Sequence, residues 1–310
     1  MDAEHIAICT TTLYPEWFEG EANLEELLKS KDRACAESKI RGDLALQTME
    51  AALRNKYKLI VIDSSGGAFE GELRRRNIPF TTSTGGMSEK RREAFTQALG
   101  DENIEALVWT EPEKVDLIRS VPSIIAPIED ESAAIVVPSR NETYNNYPKY
   151  QTSSEIKANK QFNDKLHRAK LLAEDTNLDM FIGPRVFSAR PKFRETIANI
   201  LNRKYVLDSK KAQHGNTDPE RYSDAIYFPV VAALDQHLPV TSVPIDFRYP
   251  DSQRTLEEHT PFIESAGGYR EKRKSQYTGI LAELVYYLRS IGKLGNEGTE
   301  STKSHLTEIT

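Results

Sequence analysis

Short apolar runs alternate with stretches of helical spacing along the first 140 residues, and this alternation constrains the fold more than any other feature of the chain. Runs typical of buried strands occupy residues 6–9, 58–63, 78–80, 106–109 and 133–137, and helices are predicted between them at 44–53, 69–76, 88–99 and 111–119. Strands and helices that exchange in this way need crossover connections, which make the strands parallel and put helices on the faces of the sheet. We therefore predict an α/β fold built on an open, mainly parallel sheet.

The second half of the chain is less regular. Its predicted elements are a long amphipathic helix at 154–174, a turn at 182–185, a helix at 224–234, a strand at 240–249 and a final helix at 269–290. Pro244 favours an edge position for the late strand, because proline cannot donate a hydrogen bond to a central ladder. The Gly, Glu, Ser, Thr and Lys composition of residues 291–310 predicts a disordered tail. We expect a single domain over residues 1–290.

Composition and charge exclude several classes of protein. A hydrophobic share of 38% and a charged share of 28% suit a globular chain with a core. No apolar run approaches the roughly 18 residues that span a bilayer, and the first residues lack the basic and apolar parts of a signal peptide. The net charge of −6 argues against nucleic-acid binding, and Cys9 and Cys35 have neither disulfide nor metal-site spacing. We expect a cytoplasmic protein that binds neither membranes nor nucleic acids.

Polar residues follow the first two predicted strands, where an α/β sheet binds its ligands. These residues are Thr10, Thr11, Asp63, Ser64 and Ser65. An aspartate at such a position could accept hydrogen bonds from a base or ribose, and the two glycines that follow would let the backbone approach the ligand. The alternative is an ordinary turn, because Asp, Ser and Gly are common turn formers.

A glycine pair precedes the basic helix predicted at residues 88–99. Gly86 would leave free backbone N–H groups at the helix N-terminus, where the helix dipole favours anions. Arg91 and Arg92 suit a diphosphate, because guanidinium groups pair with phosphate oxygens in a bidentate manner. In the alternative interpretation, Ser88 caps the helix and the basic side chains face water.

Two carboxylates follow the strand predicted at residues 106–109. Glu111 and Glu113 could hold a hard divalent cation, which would in turn bind phosphates. Thr110 and Glu113 also match the capping-box pattern, and Pro112 suits the first turn of a helix. In that alternative, the segment is the start of a helix and nothing more.

In their order along the chain, these motifs resemble those of the GT-A glycosyltransferases. The matching segments are residues 6–12, 60–65, 85–98 and 107–113, and the resemblance covers residues 5–140. It implies a GT-A-like fold with a nucleotide-binding half at 1–140 and an acceptor half at 141–290. It also implies that a nucleoside diphosphate sugar is the donor and a small polar molecule the acceptor.

The resemblance also implies roles for single residues. Asp63 would contact the base or ribose, and Arg91 the nucleotide or its phosphates. Glu111 and Glu113 would contact ribose and a divalent cation, Mn²⁺ or Mg²⁺, although Glu-Pro-Glu stands here in place of the family's Asp-x-Asp motif. Thr110 is the other position that could align with the first acid of that motif.

The helix predicted at residues 269–290 carries Arg270, Arg273 and Gln276 near one face. It is similar to a late Arg-x-x-Gln helix of some GT-A members, which implies that Arg273 contacts the nucleotide. A plain basic surface is the alternative. Glu111 and Asp224 are the candidate catalytic carboxylates, and Glu155 is a further candidate for the base.

The sequence as a whole predicts a glycosyltransferase that moves a sugar from a nucleoside diphosphate donor to a small polar acceptor. A metal or arginines would neutralise the charge on the departing diphosphate. One alternative is a nucleotidyltransferase acting on a sugar phosphate, but residues 10–17 lack the glycines and basic residues usual after its first strand. Another is a non-catalytic nucleotide-binding protein. A homodimer is compatible with each.

Overall fold

A mixed, seven-stranded sheet forms the centre of the computed structural model, which describes residues 1–30, 32–140, 144, 146–205, 225–264 and 267–295. The strands are Ile6–Thr12 (β1), Lys58–Asp63 (β2), Thr81–Thr82 (β3), Ala106–Trp109 (β4), Ile135–Arg140 (β5), Arg185–Ser188 (β6) and Val240–Ile245 (β7). Their order is β3-β2-β1-β4-β6-β5-β7, and the neighbouring pairs are parallel except those of β6. The predicted α/β class with an open, mainly parallel sheet is confirmed.

Helices cover both faces of the sheet. Their bounds are Leu24–Lys29 (α1), Arg33–Arg54 (α2), Gly67–Arg75 (α3), Met87–Leu99 (α4), Leu117–Glu129 (α5), Lys149–Arg168 (α6), Pro191–Asn202 (α7), Phe228–Asp235 (α8), Asp251–Glu257 (α9), Thr260–Glu264 (α10) and Tyr269–Ser290 (α11). One core contains side chains of α2, α3 and α5, and a second contains side chains of α4, α6, α7, α8 and α11.

The central strand β1 divides its side chains between these two cores. Ile6 and Ile8 pack with α2 and α5, whereas Ala7 and Cys9 pack with α4 on the other face. Successive side chains of a strand point to opposite faces, so a strand covered on both sides must be apolar throughout. This requirement explains why β1, β2 and β4 are recognisable in the sequence as nearly continuous apolar runs.

The carboxyl ends of the parallel strands lie along one edge of the sheet, as the sequence predicts. Thr12 at the end of β1 pairs in register with Asp63 at the end of β2. Just beyond β4, the N–H of Thr110 donates to the carbonyl of Cys9 at 3.1 Å, and Thr10 Oγ1 donates to the carbonyl of Thr110 at 2.9 Å. The polar ends of β1, β2 and β4 are therefore neighbours in space.

The sequence does not predict β6. Residues 182–185 were expected to form a turn, but Arg185 begins an antiparallel strand between β4 and β5. All four residues of β6 are buried, and Arg185 is 0% exposed. A four-residue strand that starts with a buried arginine has neither the alternation nor the apolar run by which strands are recognised.

The helix predicted at residues 111–119 is wrong. Residues 112–113 and 115–116 form turns, and α5 begins at Leu117 and continues to Glu129 with Pro122 and Pro127 inside it. Thr110 Oγ1 donates to the carbonyl of Glu111 at 3.0 Å, so Thr110 does not cap a helix. The capping-box interpretation of Thr110 and Glu113 is corrected accordingly.

Other boundaries differ by a few residues. The helix predicted at 154–174 is α6, and the strand predicted at 78–80 forms at Thr81–Thr82. β7 lies at the edge of the sheet, as Pro244 predicts.

The expected disordered tail does not begin at residue 291, because Lys293 Nζ lies 3.0 Å from Asp235 Oδ1. Residues 296–310 lie outside the described residues. Within the ranges given above, no helix has the length and apolar character needed to cross a bilayer.

Candidate functional site

A cavity of about 380 Å³ lies at the carboxyl edge of the sheet. The turns after β1 and β4, the start of α4 and part of α2 form one side of it, while α6, α9, α11 and residues 247–250 contribute from the C-terminal half. The predicted site residues that line this cavity are Thr11, Arg91, Glu111, Glu113 and Arg273. The structure therefore brings together residues that are far apart in the sequence.

Other predicted site residues lie at the same edge but outside the lining. They are Thr10, Asp63, Ser64, Ser65 and Gly86. Ser65 Oγ accepts a hydrogen bond from the N–H of Tyr14 at 2.8 Å, and Gly86 is the N-cap of α4. These five residues belong to the strand ends, the turn and the helix start that support the cavity wall. Their direct contacts with a nucleotide stay predictions.

Asp63 is part of this frame, and its carboxylate is fully engaged. The side chain is 0% exposed; its Oδ1 accepts from Thr12 Oγ1 at 2.6 Å, and its Oδ2 accepts from the N–H groups of Ser65 and Gly66 at 3.1 and 3.4 Å. The turn after β2 therefore depends on this carboxylate. Asp63 fixes the turn after β2 because its oxygens take up donors that would otherwise be buried without partners.

We expect Asp63→Ala to lower the free energy of unfolding by about 2 kcal/mol, because two buried donors and one half-buried donor lose a charged acceptor. Urea unfolding monitored by circular dichroism measures this change. Asp130→Ala is the control: Asp130 is exposed at the end of α5, and its loss should cost less than about 0.5 kcal/mol. Equal midpoints for the two variants would contradict the structural role of Asp63.

Lys90 lies on α4 beside this turn and lines the cavity. Its side chain is 6% exposed, and its Nζ donates to Ser64 Oγ at 3.0 Å. Burial lowers the pKa of Lys90; the carboxylate of Asp63 opposes this shift and Arg91 adds to it. Within the described part of the chain, no carboxylate forms an ion pair with Lys90, which leaves a buried positive charge beside the cavity.

The start of α4 adds further positive potential. Gly86 caps this helix without any side-chain hydrogen bond, so the alternative in which Ser88 is the cap is wrong. The alternative in which the basic side chains face water is also wrong, because Lys90, Arg91 and Arg92 are buried. The Arg91 guanidinium lies 5.2 Å from the centroid of the Trp109 ring, at the end of β4.

Glu111 lies against the backbone of the loop that leads into β6. A Cβ atom added to Gly183 would be 2.0 Å from Glu111 Oε1, and Gly183 has a φ of 96°. Only glycine therefore leaves room for this carboxylate and adopts this conformation readily. Glu111 Oε2 lies 4.0 Å from Lys114 Nζ.

Glu113 belongs to a chain of charges of which Glu257 is buried and the others are half-buried. Its Oε1 lies 3.5 Å from Arg41 Nη1, and Arg41 Nη2 lies 2.7 Å from Glu257 Oε1. Arg273 Nη2 is 4.0 Å from the same oxygen of Glu257. Although burial favours the neutral form of Glu257, Arg41 and Arg273 lower its pKa.

These contacts do not fit the divalent-cation site that the resemblance implies. Glu111 and Glu113 each face a cation of the protein, Lys114 or Arg41, which would repel Mn²⁺ or Mg²⁺ at the same oxygens. Over the ranges that the structure describes, no group of three His, Cys, Asp or Glu side chains is arranged to hold a metal ion. We therefore assign no step to a metal.

A second polar network supports the wall of the cavity. Arg140 Nε and Nη2 donate to the two carboxylate oxygens of Asp179 at 2.8 and 2.7 Å, and Arg140 Nη1 pairs with Glu155. Burial would raise the pKa of Asp179, but Arg140 lowers it overall. Glu155 also accepts from Gln151 Nε2 at 2.7 Å and from the Tyr277 hydroxyl at 2.8 Å. Glu155 is thus occupied and does not suit the role of a base.

The buried polar atoms of lining residues that have no hydrogen-bond partner in the part of the chain described include three neutral ones: Trp109 Nε1, the Tyr147 hydroxyl and Gln151 Oε1. Sequence reasoning did not select them, nor Lys90 or Lys114. The sequence feature that could have identified Tyr147 is the tyrosine-rich segment that follows β5 at the carboxyl edge. The candidate base Asp224 lies outside the described residues.

Comparisons with known proteins concern the fold alone. No protein-family model and no curated protein matches the sequence. The chain is similar to the solved structure of a candidate nucleotide-diphospho-sugar transferase of Desulfovibrio desulfuricans G20, at 12% identity over 90% of this chain and 98% of the other, with a TM-score of 0.44.

Two further solved structures are similar. One is a cytidylyltransferase of Leptospira borgpetersenii serovar Hardjo-bovis, at 8% identity over 94% of this chain and 97% of the other, with a TM-score of 0.37. The other is residues 1–349 of S. aureus TarS, at 9% identity over 98% of this chain and 79% of the other, with a TM-score of 0.36. At these identities and scores, the similarities carry no inference about the activity or ligands of this chain.

Proposed function

We propose that this protein is a glycosyltransferase that binds a nucleoside diphosphate sugar in the cavity at the carboxyl edge and transfers the sugar to a small polar acceptor. The observation that carries the proposal is the position of Lys90. It is a buried ammonium group without an ion pair among the described residues, in the first turn of a helix whose N-cap provides no side-chain acceptor. A diphosphate supplies the negative charge that both features favour.

The chemistry of transfer follows from the charges around this position. An acceptor hydroxyl oxygen attacks the anomeric carbon, the bond from that carbon to the diphosphate oxygen breaks, and the nucleoside diphosphate leaves with the electron pair. Lys90 and the N-terminus of α4 stabilise the charge that develops on the leaving group. Glu111 takes the proton of the acceptor hydroxyl, and the contact with Gly183 fixes its orientation.

Calorimetry with UDP, GDP, ADP, CDP and their sugars, in the presence and absence of a chelator, tests the proposal. We expect at least one of these nucleotides to bind. Lys90→Met should weaken its affinity by about tenfold or more, because a charged contact is lost. The substitution should not destabilise the protein, because it removes a buried charge that has no ionic partner among the described residues. Lys58→Met, at the exposed amino end of β2, is the matched control and should bind normally.

Each other outcome has a definite meaning. If no nucleoside diphosphate or sugar nucleotide binds, the proposed function is wrong. If a nucleoside triphosphate and a sugar phosphate react with release of pyrophosphate, the protein is a nucleotidyltransferase. A gain of more than about tenfold in affinity on adding Mn²⁺ or Mg²⁺ would contradict neutralisation by the side chains of the protein alone.

A further inference from the structure

We propose that the cavity also binds, beside the donor, an uncharged, polyhydroxylated acceptor, a saccharide or a polyol. This inference rests on the proposed transfer reaction and names the chemical class of its acceptor. Two independent properties of the cavity support it: the way in which its charges are paired, and the kind of polar atom that is left without a partner.

Three cations of the lining already face carboxylates, whereas Lys272 is exposed and has no ion pair among the described residues. Arg41 and Arg273 share Glu257 at 2.7 and 4.0 Å, and Lys114 lies 4.0 Å from Glu111. An acceptor that carried a phosphate or carboxylate would have to compete with these acids for the cations and would be repelled by the acids. The contrast with Lys90 is direct, since no described carboxylate pairs with it. The cavity therefore offers the donor a lysine without an ion pair among the described residues, and offers the acceptor cations that mostly face carboxylates.

Several of the unpartnered polar atoms on the lining are neutral, although Glu37 Oε1, Arg41 Nε and Glu111 Oε2 are not. Trp109 Nε1 is a donor, Gln151 Oε1 is an acceptor, and the Tyr147 hydroxyl is both. All three side chains are more than nine-tenths buried. Buried polar groups normally have partners, and hydroxyl groups of a ligand can both donate to and accept from such a set. A saccharide or polyol supplies several hydroxyl groups close together.

Aromatic rings surround Tyr147 and suit the apolar face of a sugar ring. The Tyr147 ring centroid lies 4.5 Å from that of Tyr249 and 6.1 Å from that of Phe247, and all three residues line the cavity. Small-molecule sites typically combine such aromatic walls with a few fixed polar groups. The polar and aromatic parts of this wall thus match the two faces of a carbohydrate.

The test is ligand-observed NMR and calorimetry, in the presence and absence of the nucleotide that binds most tightly. The uncharged probes are glucose, N-acetylglucosamine, maltose and glycerol, and the anionic probes are glucose 6-phosphate, glucuronate and glycerol 3-phosphate. We expect at least one uncharged probe to bind, and each anionic counterpart to bind about tenfold more weakly. Tyr147→Phe should weaken the binding of the uncharged probe by about fivefold, because one neutral hydrogen bond is lost.

Tyr57→Phe is the matched control, because Tyr57 is equally buried but precedes β2 at the opposite edge of the sheet. Tighter binding of an anionic probe, no binding of any uncharged probe at about 50 mM, or an unchanged affinity in Tyr147→Phe would overturn the inference. Failure of every nucleotide to bind would instead contradict the proposed function, since the saccharide titrations are also run without nucleotide.

Discussion

Arg140→Met is expected to lower the free energy of unfolding by about 3–5 kcal/mol, the cost typical of breaking a buried ion pair from one side. The substitution removes the guanidinium group that donates to both carboxylate oxygens of Asp179 and pairs with Glu155. Denaturant unfolding at neutral pH measures the loss. Because burial then raises the pKa of Asp179, this carboxyl group should bind a proton in the folded variant, and the loss should shrink as the pH falls toward 4.

Arg119→Met provides the comparison for this prediction. Arg119 pairs with Asp116 at 3.0 Å, but its side chain is 59% exposed, and such surface pairs contribute less than about 1 kcal/mol. An equal loss in the two variants would show that the Arg140 network does not support the structure. A loss at Arg140 that grows toward acidic pH would contradict the assignment of the buried charges.

Glu111→Gln is expected to lower sugar transfer by about 100-fold, the effect typical of losing a positioned acid or base. Its effect on the free energy of unfolding should stay below about 0.5 kcal/mol, because Glu111 Oε2 has no hydrogen bond in the described structure and its nearest cation is 4.0 Å away. Release of nucleoside diphosphate in the presence of an acceptor measures transfer. Nucleotide affinity should change little, which separates this role from that of Lys90.

Gly183→Ala tests the same carboxylate from the other side of the contact. The new methyl group would displace Glu111, since its carbon would lie 2.0 Å from Oε1. Gly20→Ala is matched in backbone strain, with a φ of 97° against 96°, but its methyl group would meet no atom within 4 Å. We expect both variants to lose similar stability and only Gly183→Ala to lose transfer. Full transfer in Gly183→Ala would exclude a role for the orientation of Glu111.

Much of the fold could be predicted from the sequence wherever the pattern of apolar residues alone decides the structure. Lys58–Asp63 and Ala106–Trp109 were predicted with their exact bounds, because strands buried on both faces are continuous apolar runs. The start of α5 was not predicted, because proline in the first turn and a capping pattern favoured an earlier helix. The contacts of Thr110 with neighbouring backbone decide that segment, and they depend on the folded sheet.

The position of the site was predictable, whereas the pairing of its charges was not. Parallel strands bring their carboxyl ends together, so Thr11, Arg91 and Glu111 could be expected at one edge. The sequence cannot show that Glu113 meets Arg41 from α2, because the two residues are brought together only by the packing of distant elements. The same holds for Lys90, whose burial depends on the turn held by Asp63.

The antiparallel strand β6 determines whether the chain can be divided into fragments that fold independently. Val186 of β6 pairs with Val108 of β4 on one side and with Val136 of β5 on the other. A fragment that ends at residue 140 would contain β4 and β5 without the strand between them, and the facing backbone groups of both would lack their partners. The halves at 1–140 and 141–290 are therefore not separable modules that could be exchanged between proteins. During synthesis on the ribosome, β4 and β5 cannot be joined until residue 188 has emerged, and the cavity cannot be complete until α11, which carries Arg273, has emerged as well.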